Sequence, residues 1–246
     1  MNTEFFKQVA RQTPTRLWVN NPTLAEAGTA VSAGAISATT NPTYTSKMLA
    51  KECEDHAAAS KLLLNCVRSN PDDHEAVDRL QLDLCRGILE VFLPMYRRKP
   101  GQQGFVSIQG NPHHDEKADP MIAEALRYRA VAPNFIAKIP VNRAGLQAIE
   151  AVLLEGIPVI ATEVMSVAQG LAVCDMQRRV ASRRACPTLY LTHITGIFDE
   201  HLAARVKAEG AQIDVRVLEQ AGCIVARRAF AACKKTGASF TFLGGG

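Results

Sequence analysis

The sequence predicts an α/β fold of the TIM type, a (β/α)8 barrel that stops after its seventh strand. Three observations carry this. Short apolar runs rich in β-branched residues alternate with longer stretches of helical period, the pattern of βα units on a parallel sheet. A length of 246 residues suits one large barrel, so a single domain is expected over residues 1–246. Open nucleotide-binding sheets lose support, because no GxGxxG follows the first run and no GxxxxGK(S/T) occurs.

The first run, Arg16–Asn20, precedes a helical pattern over Thr23–Ser32. The second, Ile36–Asn41, leads to helical patterns over Thr45–Ser69 and His74–Tyr96. A polar connection, Arg97-Arg98-Lys99-Pro100-Gly101-Gln102-Gln103-Gly104, introduces the third strand, Gly104–Gln109, and Asp119–Ala130 reads as the helix after it. The fourth strand is Asn134–Pro140. Asn142-Arg143-Ala144-Gly145 then reads as a helix start for Arg143–Leu154, with Gly156 as its stop. Pro158–Glu163 and Thr188–Ile194 flank a helix over Val167–Ser182. Leu218–Lys235 and a last strand, Ser239–Leu243, end the series. A closed barrel needs an eighth strand, and an open one leaves two unpaired edges. The expectation is a truncated chain whose last strand and helices are missing.

Composition narrows the function. A net charge of +4 is too small to suggest a nucleic-acid partner. No stretch approaches the roughly 18 apolar residues of a membrane span, and the first residues lack the apolar core of a signal peptide. Seven scattered cysteines without CxxC spacing point to reduced thiols in a cytoplasmic compartment. Asn111-Pro112-His113-His114-Asp115-Glu116 crowds metal-capable side chains into one loop. Adjacent residues seldom converge on one ion, and nothing distant in sequence obviously completes a set, so no metal is expected.

Lys138 is the residue out of place. It interrupts Phe135-Ile136-Ala137-Lys138-Ile139-Pro140, an apolar run with the look of a buried strand. Burying an ammonium without a partner costs several kcal/mol and favours the neutral amine. In a barrel, functional groups gather at the carboxyl ends of strands. Those ends collect Asn20, Thr39-Thr40-Asn41, Gln109, Lys138, Thr162, Tyr190 and His193. A desolvated amine among them can attack a carbonyl and form a Schiff base, whose iminium is an electron sink for carbon–carbon cleavage. The same position also reads as a lysine snorkelling into water, or as a buried ion pair with Glu163.

Several segments, taken in order, resemble the transaldolase family, which includes fructose-6-phosphate aldolase. They are Leu17-Trp18-Val19-Asn20, Ala38-Thr39-Thr40-Asn41-Pro42, Val106-Ser107-Ile108-Gln109, Ala137-Lys138-Ile139-Pro140-Val141, Glu155-Gly156-Ile157-Pro158-Val159-Ile160-Ala161-Thr162 and Ser166-Val167-Ala168-Gln169-Gly170. The resemblance spans Leu17 to about Ile194. It implies a lysine Schiff-base enzyme, with Lys138 as the nucleophile, that moves a three-carbon dihydroxyacetone unit in pentose-phosphate type chemistry. Gln109, Thr162 and Tyr190 are implied to hold a catalytic water. Asn20, Thr40 and Asn41 are implied to orient the sugar, with Ser166 either touching substrate or capping its helix. The implied partner is a small sugar or sugar phosphate, with no cofactor; the resemblance also allows a homo-oligomer.

The departures bear on activity. Asn20 stands where the family has an aspartate, and an amide cannot accept a proton at neutral pH. Gln109 replaces the glutamate of the transaldolase branch. His193 stands where an arginine approaches the substrate phosphate, and an imidazole lacks the guanidinium fork. The alternative is a barrel of the same family that binds sugars without catalysis. Gly244-Gly245-Gly246 reads either as a phosphate-cradling loop or as a tail.

Overall fold

Strands buried on both faces need apolar side chains in both directions, and the central runs of this chain supply them. A computed structural model describes residues 3–245, so Gly246 lies outside the described residues. The seven expected strands are present: β1 (Leu17–Asn20), β2 (Ala35–Thr39), β3 (Val106–Gln109), β4 (Phe135–Pro140), β5 (Val159–Val164), β6 (Leu189–Ile194) and β7 (Thr241–Gly245). Their order in the sheet follows the sequence, from β1 to β7. Pairing is parallel wherever its register is defined. This is a TIM-type α/β fold with, among the described residues, no eighth strand. All four residues of β3 are buried, whereas β7 is largely exposed.

The chain divides into two compact units. The first runs to His114 and includes Pro120–Lys138; the second comprises Asp115–Asp119 and everything from Ile139 onward. In the first unit, α1 (Thr3–Gln12) and α2 (Leu24–Ser32) flank β1. Thr23 and Glu26 close a reciprocal capping box at the start of α2.

The single helix expected over Thr45–Ser69 is in fact two, α3 (Thr43–Leu49) and α4 (His56–Ser69). Ala50 is extended and ends the first of them. The imidazole Nδ1 of His56 takes the place of a helical partner at the Leu49 carbonyl, 2.9 Å away. A side chain that satisfies an end carbonyl makes such a break tolerable. The long helix α5 (Asp73–Arg98) extends through Arg97-Arg98, which the sequence assigns to a polar connection.

Entry into β3 depends on Gly104 and Asn134. Gly104 has φ +79, and its N–H donates to the Ile36 carbonyl at 2.6 Å. Fully buried Asn134 donates from Nδ2 to the Leu89 and Gly104 carbonyls at 3.0 and 2.9 Å. Asn134→Ala leaves both carbonyls buried without that donor. It is expected to destabilise the protein by about 2–4 kcal/mol, read as a fall in the urea midpoint with little change in slope.

α6 (Ala118–Arg129) leads to β4, whose residues Phe135–Lys138 belong to the first unit. The second unit holds α7 (Arg143–Leu154), β5, α8 (Val167–Ala181), β6, α9 (Gly196–Glu209), α10 (Val215–Leu218), α11 (Ala221–Lys234) and β7. Asn142 caps α7, accepting from the Gly145 N–H at 2.7 Å as its sequence signal predicts. α8 packs against α7 and α11. Val152, Val159, Ile160, Val173 and Leu191 form part of this unit's buried interior. The sequence pattern predicts one helix over Leu218–Lys235 and omits α9. That omission has a physical cause: no residue of α9 is buried, so the helix carries no apolar stripe to betray it. No helix among the described residues is long and apolar enough to cross a membrane.

Candidate active site

In the first unit, the carboxyl ends of β2, β3 and β4 bring Lys138, Gln109 and Thr40 together. Lys138 is half-buried, while Ile136, Ala137 and Ile139 around it are buried. It pairs in register with Gln109 on β3, and its Nζ donates to the Thr40 carbonyl at 3.3 Å. Thr40 is itself pinned, because its hydroxyl donates to the Ser107 carbonyl at 2.8 Å. Gln81 of α5 donates from Nε2 to the Gln109 carbonyl at 2.8 Å and so holds the end of β3. Cys85 lies with its Sγ 3.8 Å from the Thr40 hydroxyl, and burial pushes its thiol up to about 12. At neutral pH it is a packing residue, not a nucleophile.

Asn20, at the end of β1, is exposed. The carboxamide that engages Asn41 belongs to its neighbour Asn21, which sits at φ 47. Asn21 Nδ2 donates to Asn41 Oδ1 at 3.0 Å, and the Asn41 N–H returns a bond to Asn21 Oδ1 at 3.1 Å. Asn41 Oδ1 also accepts from the Thr43 N–H and hydroxyl at 3.0 and 2.6 Å. Its side chain thus fixes the turn into α3. The sequence reading omitted Asn21 and Gln81; the adjacent Asn20-Asn21 pair was the visible signal for the first, and nothing in a long helical pattern marked the second.

In the second unit, β5 and β6 carry the remaining residues; Tyr190, expected at the carboxyl end of β6, is the second of that strand's six residues, towards its amino end, whereas His193 is the fifth. Thr162 is buried, and its carbonyl accepts from the Val141 N–H at 2.9 Å. Glu163 has φ 59, and the β5–β6 register slips between Ala161 and Val164. Asn21 and Glu163 are the non-glycine residues with positive φ among those described, and both lie at or just past strand carboxyl ends. Strained backbone of this kind concentrates at functional sites. Gln169 steadies the bulge by donating from Nε2 to the Val141 and Glu163 carbonyls at 2.7 and 3.3 Å. Ser166 caps α8, accepting from the Gln169 N–H at 3.1 Å.

Tyr190 is buried, and that burial pushes its phenol up to about 12. It stays protonated at neutral pH and can donate a hydrogen bond. His193 is fully buried and stacks on Phe198 and Phe242, with ring centroids 5.5 and 6.4 Å away. Neither ring nitrogen has a hydrogen-bond partner among the described residues. In register it faces Gly244, within the glycine run. A groove of about 450 Å³ lined by Gln177, Arg184, Cys186 and Thr241 lies at the amino-terminal ends of β6 and β7, where Thr241 pairs in register with Tyr190.

A lysine at the end of a parallel strand, backed by amides and a threonine carbonyl, matches one known family over nearly the whole chain. Residues 18–243 fit the family model of transaldolase/fructose-6-phosphate aldolase. The chain belongs to that family. Individual relatives agree: it is 31% identical over 206 residues to a transaldolase of Mycolicibacterium paratuberculosis, covering 80% of this chain and 54% of that one. A transaldolase of Mycobacterium bovis is 29% identical over 209 residues, or 81% of this chain and 55% of its own. A transaldolase of Mycobacterium ulcerans is 29% identical over 206 residues, or 80% of this chain and 54% of its own. The chain therefore spans about half the length of the transaldolases it matches.

Proposed function

We propose that this chain forms a Schiff base through Lys138 with a ketose or sugar phosphate and transfers or releases a three-carbon dihydroxyacetone unit. The observation that carries the reading is Lys138 itself, half-buried in an apolar strand, paired with Gln109 and steered by the Thr40 carbonyl. A carbonyl oxygen that accepts from Nζ orients the amine for attack on a substrate carbonyl. Gln109, Thr162 and Tyr190 take the water-holding roles, while Asn20, Thr40, Asn41, Ser166 and His193 meet the sugar. This chemistry requires no metal or organic cofactor.

With Asn20 unable to act as a base, proton transfer falls to a water served by Tyr190. Tyr190→Phe is expected to lower kcat by about 100-fold with KM little changed, because general acid–base assistance is worth roughly 10²–10⁴. Steady-state kinetics on fructose 6-phosphate checks this.

The reading is tested by incubating the protein with dihydroxyacetone or fructose 6-phosphate, reducing with borohydride and weighing the intact chain. A single reduced-imine adduct supports it. A folded protein that gives no adduct with any ketose sinks it and favours the second reading, a sugar-binding member without catalysis. That second reading rests on Asn20, which is exposed and stands where the family resemblance puts an aspartate.

A further inference from the structure

Three side chains of the first unit that aldol chemistry leaves unused converge below the end of β3. Asp78 comes from α5, His114 from the short turn Pro112–His114, and Glu124 from α6. One ligand atom from each lies within 4.8 Å of the other two. His114 Nδ1 is 2.5 Å from Glu124 Oε1. Both carboxyl groups are buried, with residues 78 and 124 only 7% and 4% exposed. Glu124 Oε2 occupies space that only a glycine at 110 leaves open, since a Cβ there would stand 1.9 Å from it.

The sequence showed the histidine loop but not the carboxylates, which lie 36 residues before and 10 residues after His114 and meet it only in the fold. Two adjacent buried carboxylates repel each other and are stabilised by a cation between them. The present countercharge is Arg127, whose guanidinium is 3.3 Å from Asp78 but whose side chain is 52% exposed. A half-exposed arm can swing aside. Around the mouth, His74 stands one turn before Asp78 on α5. It meets His113 edge to face with centroids 4.8 Å apart, and its Nδ1 is 3.3 Å from Asn111 Nδ2.

We propose that Asp78, His114 and Glu124 bind one zinc ion, with water completing the shell. One imidazole nitrogen and two carboxylate oxygens make a mixed three-residue set that suits zinc in fourfold coordination. Calcium and magnesium prefer all-oxygen shells of six or more ligands, which this turn does not offer. The ion ties α5, the turn after β3 and α6 into one brace. That brace lies next to Gln109, because Gly110 follows it and Gln81 sits one turn beyond Asp78. The site is independent of the Schiff-base reading.

The test is cobalt titration of the full chain after removal of metals with EDTA, followed by displacement with zinc. The seven free cysteines are the competing ligands, and cobalt thiolates announce themselves by a near-ultraviolet charge-transfer band. One equivalent of cobalt bound without that band, and displaced by zinc, is the expected result. Glu124→Gln, which keeps the shape of the side chain, should weaken binding by about 100-fold or more, and His114→Ala by a similar factor. Arg127→Ala should tighten it, since it removes the competing cation from Asp78. Should Glu124→Gln fail to fold, the half-exposed position of His114 makes its variant the deciding one. No saturable binding, a thiolate band, or an affinity unchanged in His114→Ala overturns the proposal.

Discussion

Lys138→Met is expected to abolish the borohydride adduct and to reduce turnover by at least about a thousandfold, the scale seen when a covalent nucleophile is removed. The fold should survive. Methionine matches the length and apolar stem of lysine, and the substitution removes the 3.3 Å hydrogen bond to the Thr40 carbonyl. Thr40 itself stays anchored, because its N–H and hydroxyl still donate to the Ser107 carbonyl at 3.1 and 2.8 Å. Relief of a half-buried amine offsets part of the lost bond, so stability should change by less than about 1 kcal/mol. Intact mass after reduction, kinetics and a thermal melt read the three quantities separately. An adduct that persists in Lys138→Met would move the chemistry to another amine. A variant that melts far below the parent would mean that the lysine holds the strand ends together.

The second large effect is on stability. Gly104→Ala places a Cβ 2.1 Å from the backbone nitrogen of Tyr96 and 2.5 Å from its Cα. Backbone cannot rotate away as a side chain can, and α5 is anchored along its length by buried Leu82, Ile88, Leu89 and Phe92. The position also has φ +79, a region where a Cβ costs about 1–2 kcal/mol before any overlap. Overpacking adds roughly 1–3 kcal/mol, so a total of about 3–5 kcal/mol is expected, a large part of a typical domain's stability. Urea unfolding followed by circular dichroism checks it, with Gly237→Ala as the contrasting variant. Gly237 also has positive φ (+73) but meets nothing within 4 Å, so it should lose only the conformational part. Equal losses at the two positions would show that the contact with Tyr96 relaxes freely.

The strands were legible because their cause is local. Runs such as Phe135-Ile136-Ala137 and Val159-Ile160-Ala161 are buried on both faces, and continuous apolar character is the direct trace of that burial. Lys138 and Gln109 could be picked out for the same reason, as polar groups at the ends of apolar runs. The helix boundaries were less legible. The break between α3 and α4 depends on His56 reaching the Leu49 carbonyl, a contact that helical periodicity does not encode. α9 carries no buried residue, so it left no pattern to read.

By itself, then, the sequence determined the parallel α/β fold, the seven strands and the lysine on the fourth, because each follows from the order and burial of residues near one another in the chain. Only the tertiary structure decided which side chains meet. It paired Asn21 with Asn41 and set Gln81 against Gln109. It left His193 stacked between phenyl rings, and gathered Asp78 and Glu124 around His114. Those contacts join residues 5 to 49 positions apart, and their energy comes from desolvation and geometry that exist only once the strands and helices have packed.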